Sequence, residues 1–141
     1  MVSDLELSGY TLGKQLHKGT WGDVYLGVRA SDDQAVVLKI YQPGEHRGLN
    51  ARREFEATQA VSHPAVPKAI ALDLTHETPI VVLERVPGIP LAAWVREGLP
   101  SVSSFLKVAA QVADALSAVH QARLLHRDVT PTNVLVDPAT L

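Results

Sequence analysis

The first 86 residues alternate short apolar runs with polar punctuation. Tyr10-Thr11-Leu12 opens one strand. Val24-Tyr25-Leu26-Gly27-Val28 forms a second, and Ala35 to Ile40 a third that is rich in β-branched residues. Ser31-Asp32-Asp33-Gln34 is the turn between those two, and Pro43-Gly44 breaks the run. Residues 50 to 61 read as a helix, with Phe55, Thr58 and Val61 at helical spacing and Pro64 and Pro67 beyond it. Two more strands follow, Ala69 to Leu74 and Pro79 to Val86, joined by the turn His76-Glu77-Thr78.

After Pro87-Gly88-Ile89-Pro90 the texture changes. Leu91 to Glu97 predicts a short helix, stopped by Gly98 and Pro100. Phe105, Ala109, Val112, Leu116 and Val119 then recur as one helical stripe, the strongest such signal in the chain, and Ser101 suits its N-cap. The pattern therefore predicts an α+β chain in two parts. Residues 10–86 form a mostly β part of five antiparallel strands with one helix, and 87–141 a mostly helical part. Residues 1–9 are left as an N-terminal tail.

Composition narrows the class without changing this outline. With 141 residues, 46% hydrophobic and 20% charged, the chain reads as globular and large enough for a core. A net charge of −2 gives no pull toward nucleic acid or an anionic membrane, so neither is expected as a partner. Cysteine is absent, which excludes disulfides and thiolate metal sites and suits a cytoplasmic protein. The N-terminus lacks the basic and apolar regions of a signal peptide, and no uninterrupted apolar run approaches the ~20 residues of a membrane span.

The candidate chemistry lies in four stretches. Between the first two strands, Leu16-His17-Lys18-Gly19-Thr20-Trp21-Gly22-Asp23-Val24 holds two glycines that let a backbone turn approach phosphates closely. A plain glycine-containing hairpin explains the same residues. A P-loop does not fit, because only three residues separate Gly9 from Gly13-Lys14 and Gln15 stands where Ser or Thr is needed. Lys39 shares a strand face with Val37, and a lysine on an apolar inner face needs an anion. Glu54, on the following helix, is a partner for it. A solvent-facing lysine and a solvated glutamate in the run Arg52-Arg53-Glu54 are the alternatives. Leu83-Glu84-Arg85-Val86 lies where the fifth strand leaves the sheet, and its backbone groups suit an adenine edge. Finally, His126-Arg127-Asp128-Val129-Thr130-Pro131-Thr132-Asn133 sets a carboxylate and a carboxamide five positions apart between two apolar runs. That pairing suits phosphoryl transfer, with the acid orienting a hydroxyl and the amide holding a metal. His63 and His120 read as packing or helix-end groups, and no histidine pair has zinc-ligand spacing.

Taken in order, these stretches resemble the eukaryotic-type protein kinase family, in its bacterial serine/threonine form. The resemblance runs from about Tyr10 to Val136. It implies a protein-kinase-like fold: a five-stranded small lobe with its single helix C, then the helical start of the large lobe. It also implies ATP and magnesium as cofactors and a protein hydroxyl as acceptor. Gly19 and Gly22 would cover the phosphates, with Leu16, Val24, Val37, Glu84, Val86 and Leu135 around the base. Lys39, held by Glu54, would contact the α- and β-phosphates, and Leu83 falls at the gatekeeper. Asp128 would accept the proton of the acceptor hydroxyl, Asn133 would ligate magnesium, and Arg127 would be available to a phosphorylated activation loop. The phrases Leu16-His17-Lys18-Gly19 and Thr130-Pro131-Thr132-Asn133 also resemble kinase domains at the N-terminus of large bacterial signalling proteins, which implies further domains.

Three departures stand beside the resemblance. His17 occupies the place of the first loop glycine, which predicts a stiffer loop and weaker ATP binding. Thr130 occupies the place where serine/threonine kinases carry a lysine. Leu141 comes before any Asp-Phe-Gly, so the second metal ligand is expected past it, and the isolated chain is expected to be inactive with the stripe of its long helix partly bare. Two other functions compete: a non-catalytic nucleotide-binding or scaffolding pseudokinase, and a small-molecule kinase of the aminoglycoside phosphotransferase type. Arg127 favours the protein kinase over the latter.

Overall fold

The computed structural model describes residues 6, 7 and 9–141; most of the 1–9 tail thus lies outside the described residues. The chain divides into two compact units, one made of residues 1–60 and 67–85 and the other of 61–66 and 86–141.

The first unit is built on an antiparallel sheet. Its strands are β1 (Glu6–Leu7), β2 (Tyr10–Lys18), β3 (Gly22–Arg29), β4 (Ala35–Tyr41), β5 (Ala69–Asp73) and β6 (Ile80–Glu84), in the order β1-β2-β3-β4-β6-β5. The five strands expected from the pattern are all present. The two-residue β1 adds a short edge beside β2, pairing Leu7 with Tyr10. Alternation along β4 decides which residues meet which neighbours. Val36 and Leu38 point to one face and are fully buried with Tyr10, Ile80 and Val82. Tyr10 on β2 and Ile70 and Ala71 on β5 pack on that same cluster, so the sheet curls over its own core. The other face of β4 carries Val37, Lys39 and Tyr41.

Helix α1 (Arg47–Ala60) covers this second face and starts three residues earlier than the pattern predicts. Ala51 and the partly buried Phe55 pack with Tyr41, Ala69 and Val81. The C-terminal turn of α1 is tied to β5: Ala69 N donates to Thr58 Oγ1 at 3.3 Å, and Gln59 Nε2 donates to Ala69 O. Such side-chain partners satisfy backbone groups that a bare edge would expose to solvent.

In the second unit, β7 (Ile89–Pro90) pairs with β8 (Leu135–Val136). Helix α2 (Leu91–Glu97) follows β7 directly, and α3 (Val102–Gln121) is the long helix. Ser101 caps α3 as expected, its hydroxyl accepting from Ser104 N at 3.1 Å. The predicted stripe of α3 is partly covered and partly bare: Val119 is buried, Val112 and Leu116 are half-buried, and Phe105 and Ala109 are exposed. Val108 and Val119 are buried, whereas Phe105, Leu106 and Val102 are 57%, 58% and 75% exposed. Val102, Leu106 and Val108 flank the stripe, and of these three Val108 is the one covered. By length and composition alone, α3 is also apolar enough to cross a membrane. This qualifies the expectation drawn from uninterrupted runs, because Lys107 and Asp114 interrupt the helix without lowering its mean hydropathy enough. Residues 61–66 belong to this unit as well. His63 Nδ1 accepts from Ala65 N at 3.1 Å, so its Nε2 carries the proton donated to Asp114 Oδ2, 3.0 Å away on α3.

Candidate functional site

In the first unit the β2–β3 hairpin carries the two glycines. Lys18 faces Asp23 and His17 faces Val24, and Gly19 N donates to Gly22 O at 3.2 Å to close the turn. Neither glycine has a positive φ. Gly22 is needed for space: a Cβ there would stand 2.6 Å from Ile40 O, on the neighbouring strand. At Gly19 it would stand 2.9 Å from Gly22 O and 3.2 Å from the His17 ring, so the histidine in place of a glycine lines the turn. Trp21 at the tip lies under the Arg47 guanidinium, 4.8 Å from the ring centroid, which ties the hairpin to the start of α1.

Val24 pairs with Lys39 across β3 and β4, and Gly22 pairs with Tyr41. Lys39 Nζ lies 2.6 Å from Glu54 Oε2, and both side chains are a little over one quarter exposed (27% and 28%). This is the partly buried, charge-assisted pair that an inward-facing lysine requires. The structure adds a member that the sequence reading missed. The Tyr41 hydroxyl donates to the same Glu54 oxygen, and its ring lies 5.1 Å from the lysine nitrogen. Burial, reinforced by the hydrogen bond to Glu54, pushes the Tyr41 hydroxyl well above the usual phenol range. It therefore stays a donor. The signal was available, because Tyr41 shares period-two alternation with Lys39. Val37 lies on that face too, half-buried, while Leu16 is 49% exposed. At the end of β6, Glu84 N donates to Lys68 O at 2.9 Å, and the Glu84 carboxylate accepts from Lys68 N at 3.0 Å. The two units divide between Arg85 and Val86.

In the second unit the polar loop before β8 is folded around Asp128. Asn133 Nδ2 donates to Asp128 Oδ2 at 2.8 Å and to Asp128 O at 3.0 Å. Two acceptors on one side fix the amide orientation and turn its own oxygen outward. Arg127 has a left-handed backbone, φ 64°, which sets the sharp turn into Asp128, and Asp128 N donates to His126 Nδ1 at 3.3 Å. Thr130 and Thr132 share a 2.9 Å hydroxyl contact. The loop is anchored by a helix start: Leu91 N donates to Val134 O at 2.8 Å and Ala92 N to Pro131 O at 2.9 Å. These are first-turn amides without partners inside α2, and the loop carbonyls satisfy them. Gly88 is a further residue that sequence reasoning passed over. Its φ is +122°, and a Cβ there would sit 2.8 Å from Val136 O, so only glycine lets the β7–β8 ladder close. Leu135, on β8, is 46% exposed.

A family described as protein kinase domain matches residues 10–141. The chain belongs to the protein kinase domain family. The fold is accordingly the protein-kinase fold, a small lobe of antiparallel strands followed by helices. Solved structures agree: the kinase domain of PknI from Mycobacterium tuberculosis has a TM-score of 0.77 at 26% identity, covering 99% of this chain and 59% of that chain. Among curated relatives, CBL-interacting protein kinase 4 of rice (Oryza sativa subsp. japonica) is 34% identical over 93% of this chain and 31% of its own length. Serine/threonine-protein kinase Pkn1 of Myxococcus xanthus is 30% identical over 90% of this chain and 19% of its own. The chain thus spans a third or less of the curated relatives it resembles. The family uses ATP and a divalent metal in general, and acts on proteins. The small-molecule kinase alternative has no support among these matches, whose names are those of protein kinases.

Proposed function

We propose that this chain is the ATP-binding and acceptor-orienting part of a serine/threonine protein kinase, transferring the γ-phosphoryl group of ATP to a protein hydroxyl. The Lys39–Glu54 pair carries the reading: a partly buried lysine on a strand face, paired at 2.6 Å with a carboxylate on a helix, is poised for a phosphate. Residues 10–86 act as the small lobe and 87–141 as the start of the large lobe. Gly19 and Gly22 let the hairpin backbone approach phosphate oxygens, and Lys39 offers its ammonium to them. Leu16, Val24, Val37, Glu84, Val86 and Leu135 serve the base.

Asp128 accepts the proton of the incoming hydroxyl, and Asn133 holds that carboxylate in place through its 2.8 Å bond. The outward oxygen of Asn133 is a hard, neutral ligand of the kind magnesium takes, so the residue present fits the ion. Magnesium, when bound, supplies charge neutralisation on the phosphates. A net charge of −2 and the absence of cysteine support a cytoplasmic protein that works without nucleic acid or membrane, and relatives of which the chain spans a third or less support a place within a larger signalling chain. A second reading, a nucleotide-binding scaffold without transfer, is favoured by one observation: Thr130 stands in a lysine's place and spends its hydroxyl on Thr132. Thermal unfolding with and without ATP and magnesium tests the nucleotide site. Radiolabel transfer to a generic protein acceptor by the longest natural form separates the kinase from the scaffold. No stabilisation by ATP sinks both readings.

A further inference from the structure

Glu54 Oε2 accepts from two donors on one strand, and the two differ in kind. Lys39 reaches it at the end of a flexible four-carbon stem. Tyr41 reaches it from a rigid ring that is 4% exposed and packed with Ala51, Ala69 and Val81. Ala51 lies one turn before Glu54 on α1, so the ring grips the same helix that its hydroxyl holds. The Tyr41 backbone is pinned too, its N–H donating to Pro79 O at 2.9 Å. An ammonium drawn to a phosphate weakens its hold on Glu54, whereas among the described residues the Tyr41 hydroxyl has Glu54 as its one acceptor.

We propose that Tyr41 is a positioning residue of this site: its hydroxyl keeps the Glu54 carboxylate beside Lys39 whether or not the ammonium is engaged with phosphate. The inference rests on the phosphate-binding reading of Lys39 for its purpose, and on geometry alone for its existence. Removing the hydroxyl leaves Glu54 with Lys39 as its one side-chain partner among the described residues. The carboxylate then follows the ammonium or swings away, and either way Lys39 is held less firmly.

The test uses the whole chain as Tyr41→Phe, Glu54→Ala, which removes the acceptor outright, and the double variant. One arm needs no nucleotide: acetylation of Lys39 by a water-soluble acetyl ester, quantified by mass spectrometry against Lys14, Lys18, Lys68 and Lys107 in the same sample. Because Tyr41 acts on Lys39 only through Glu54, its loss predicts a rise in relative Lys39 labelling of about threefold to tenfold in Tyr41→Phe, the range of a typical net hydrogen bond. Glu54→Ala, which leaves the tyrosine in place but removes its acceptor, should give at least as large a rise, and the double variant no more than Glu54→Ala alone. The second arm is calorimetric binding of ATP with magnesium, expected to weaken about fivefold in Tyr41→Phe and to be unaffected by Tyr41 once Glu54 is gone. Unchanged labelling in Tyr41→Phe overturns the proposal, as does an equal tyrosine effect with and without Glu54, which is what a merely structural ring would give. A wild-type chain that binds no ATP removes the phosphate reading instead, while the coupling of Tyr41 to Lys39 stands or falls on the labelling.

Discussion

Gly22→Ala separates two reasons for a glycine that a sequence motif merges. The glycine of a phosphate-covering hairpin is usually explained by the ligand. Here the neighbouring strand already forbids a side chain. A Cβ at position 22 would stand 2.6 Å from Ile40 O, 3.2 Å from Ile40 C and 3.1 Å from Tyr41 Cα, all main-chain atoms. A carbon–oxygen contact relaxes near 3.3 Å, so β3 and β4 must part by about 0.7 Å at their last ladder pair, Gly22 with Tyr41. No flexible side chain can absorb that movement. Overpacking of this size costs about 1–3 kcal/mol, and at about 4 °C per kcal/mol the melting temperature should fall by about 4–12 °C. Gly19→Ala makes the contrast. Its Cβ would meet one main-chain atom, Gly22 O at 2.9 Å, and the His17 ring at 3.2 Å, against three main-chain atoms at Gly22, so its stability loss should be the smaller of the two. Its effect should fall on ATP affinity instead. Thermal unfolding of both variants, each with and without ATP and magnesium, reads the two effects apart. A Gly22→Ala chain that melts within about a degree of wild type, or a Gly19→Ala chain that is the less stable of the two, refutes the strand-packing account.

Leu38 is 1% exposed in the curled core, and Leu38→Ala should cost about 3 kcal/mol, measured by chemical denaturation; a loss under about 1 kcal/mol would mean the core collapses around the cavity. Lys39→Met should abolish stabilisation by ATP, whereas Asp128→Asn should keep it and stop transfer in the longest natural form, read by thermal shift and radiolabel. The hydrogen bond from Arg29 to Asp32, 2.6 Å long at the β3–β4 turn, holds the exposed Asp32 carboxyl below the usual carboxylate range. A lowered folded-state value means that the pair's contribution is present at neutral pH and fades as pH falls through that value. Carbon-13 carboxyl titration should show Asp32 rising toward the ordinary range in Arg29→Ala, with the Gln34 N–H bond still holding it somewhat low.

Strand alternation and helix periodicity located nearly every element, because each rests on local geometry. Leu91 to Glu97 coincides with α2, and Ser101 caps α3 where the pattern put it. The loop from His126 to Asn133 was legible for a related reason. Its acid and amide lie close in sequence, and the hydrogen bonds that join them are local. What escaped depends on contacts between distant positions. The place of residues 61–66 in the second unit is set by His63 meeting Asp114, 51 positions on, and no periodicity carries that. The edge strand β1 is two residues long, too short for any alternation to register.

The Lys39–Glu54 pair shows where reading of this kind can be pushed further. The sequence offered a lysine on an inner face and a glutamate on the next helix, and the exposed alternatives for both were reasonable. What tips the balance is the surrounding face: once Lys39 faces α1, every residue at even spacing from it faces α1 as well. That places Val37 and Tyr41 on the same side and makes Tyr41 the polar neighbour nearest to Glu54. A buried phenol must find an acceptor, and a partly buried carboxylate such as Glu54 collects donors. The two requirements are met by one contact. The third member of the network therefore follows from the first two and the pleat of a strand, without any knowledge of what the site binds.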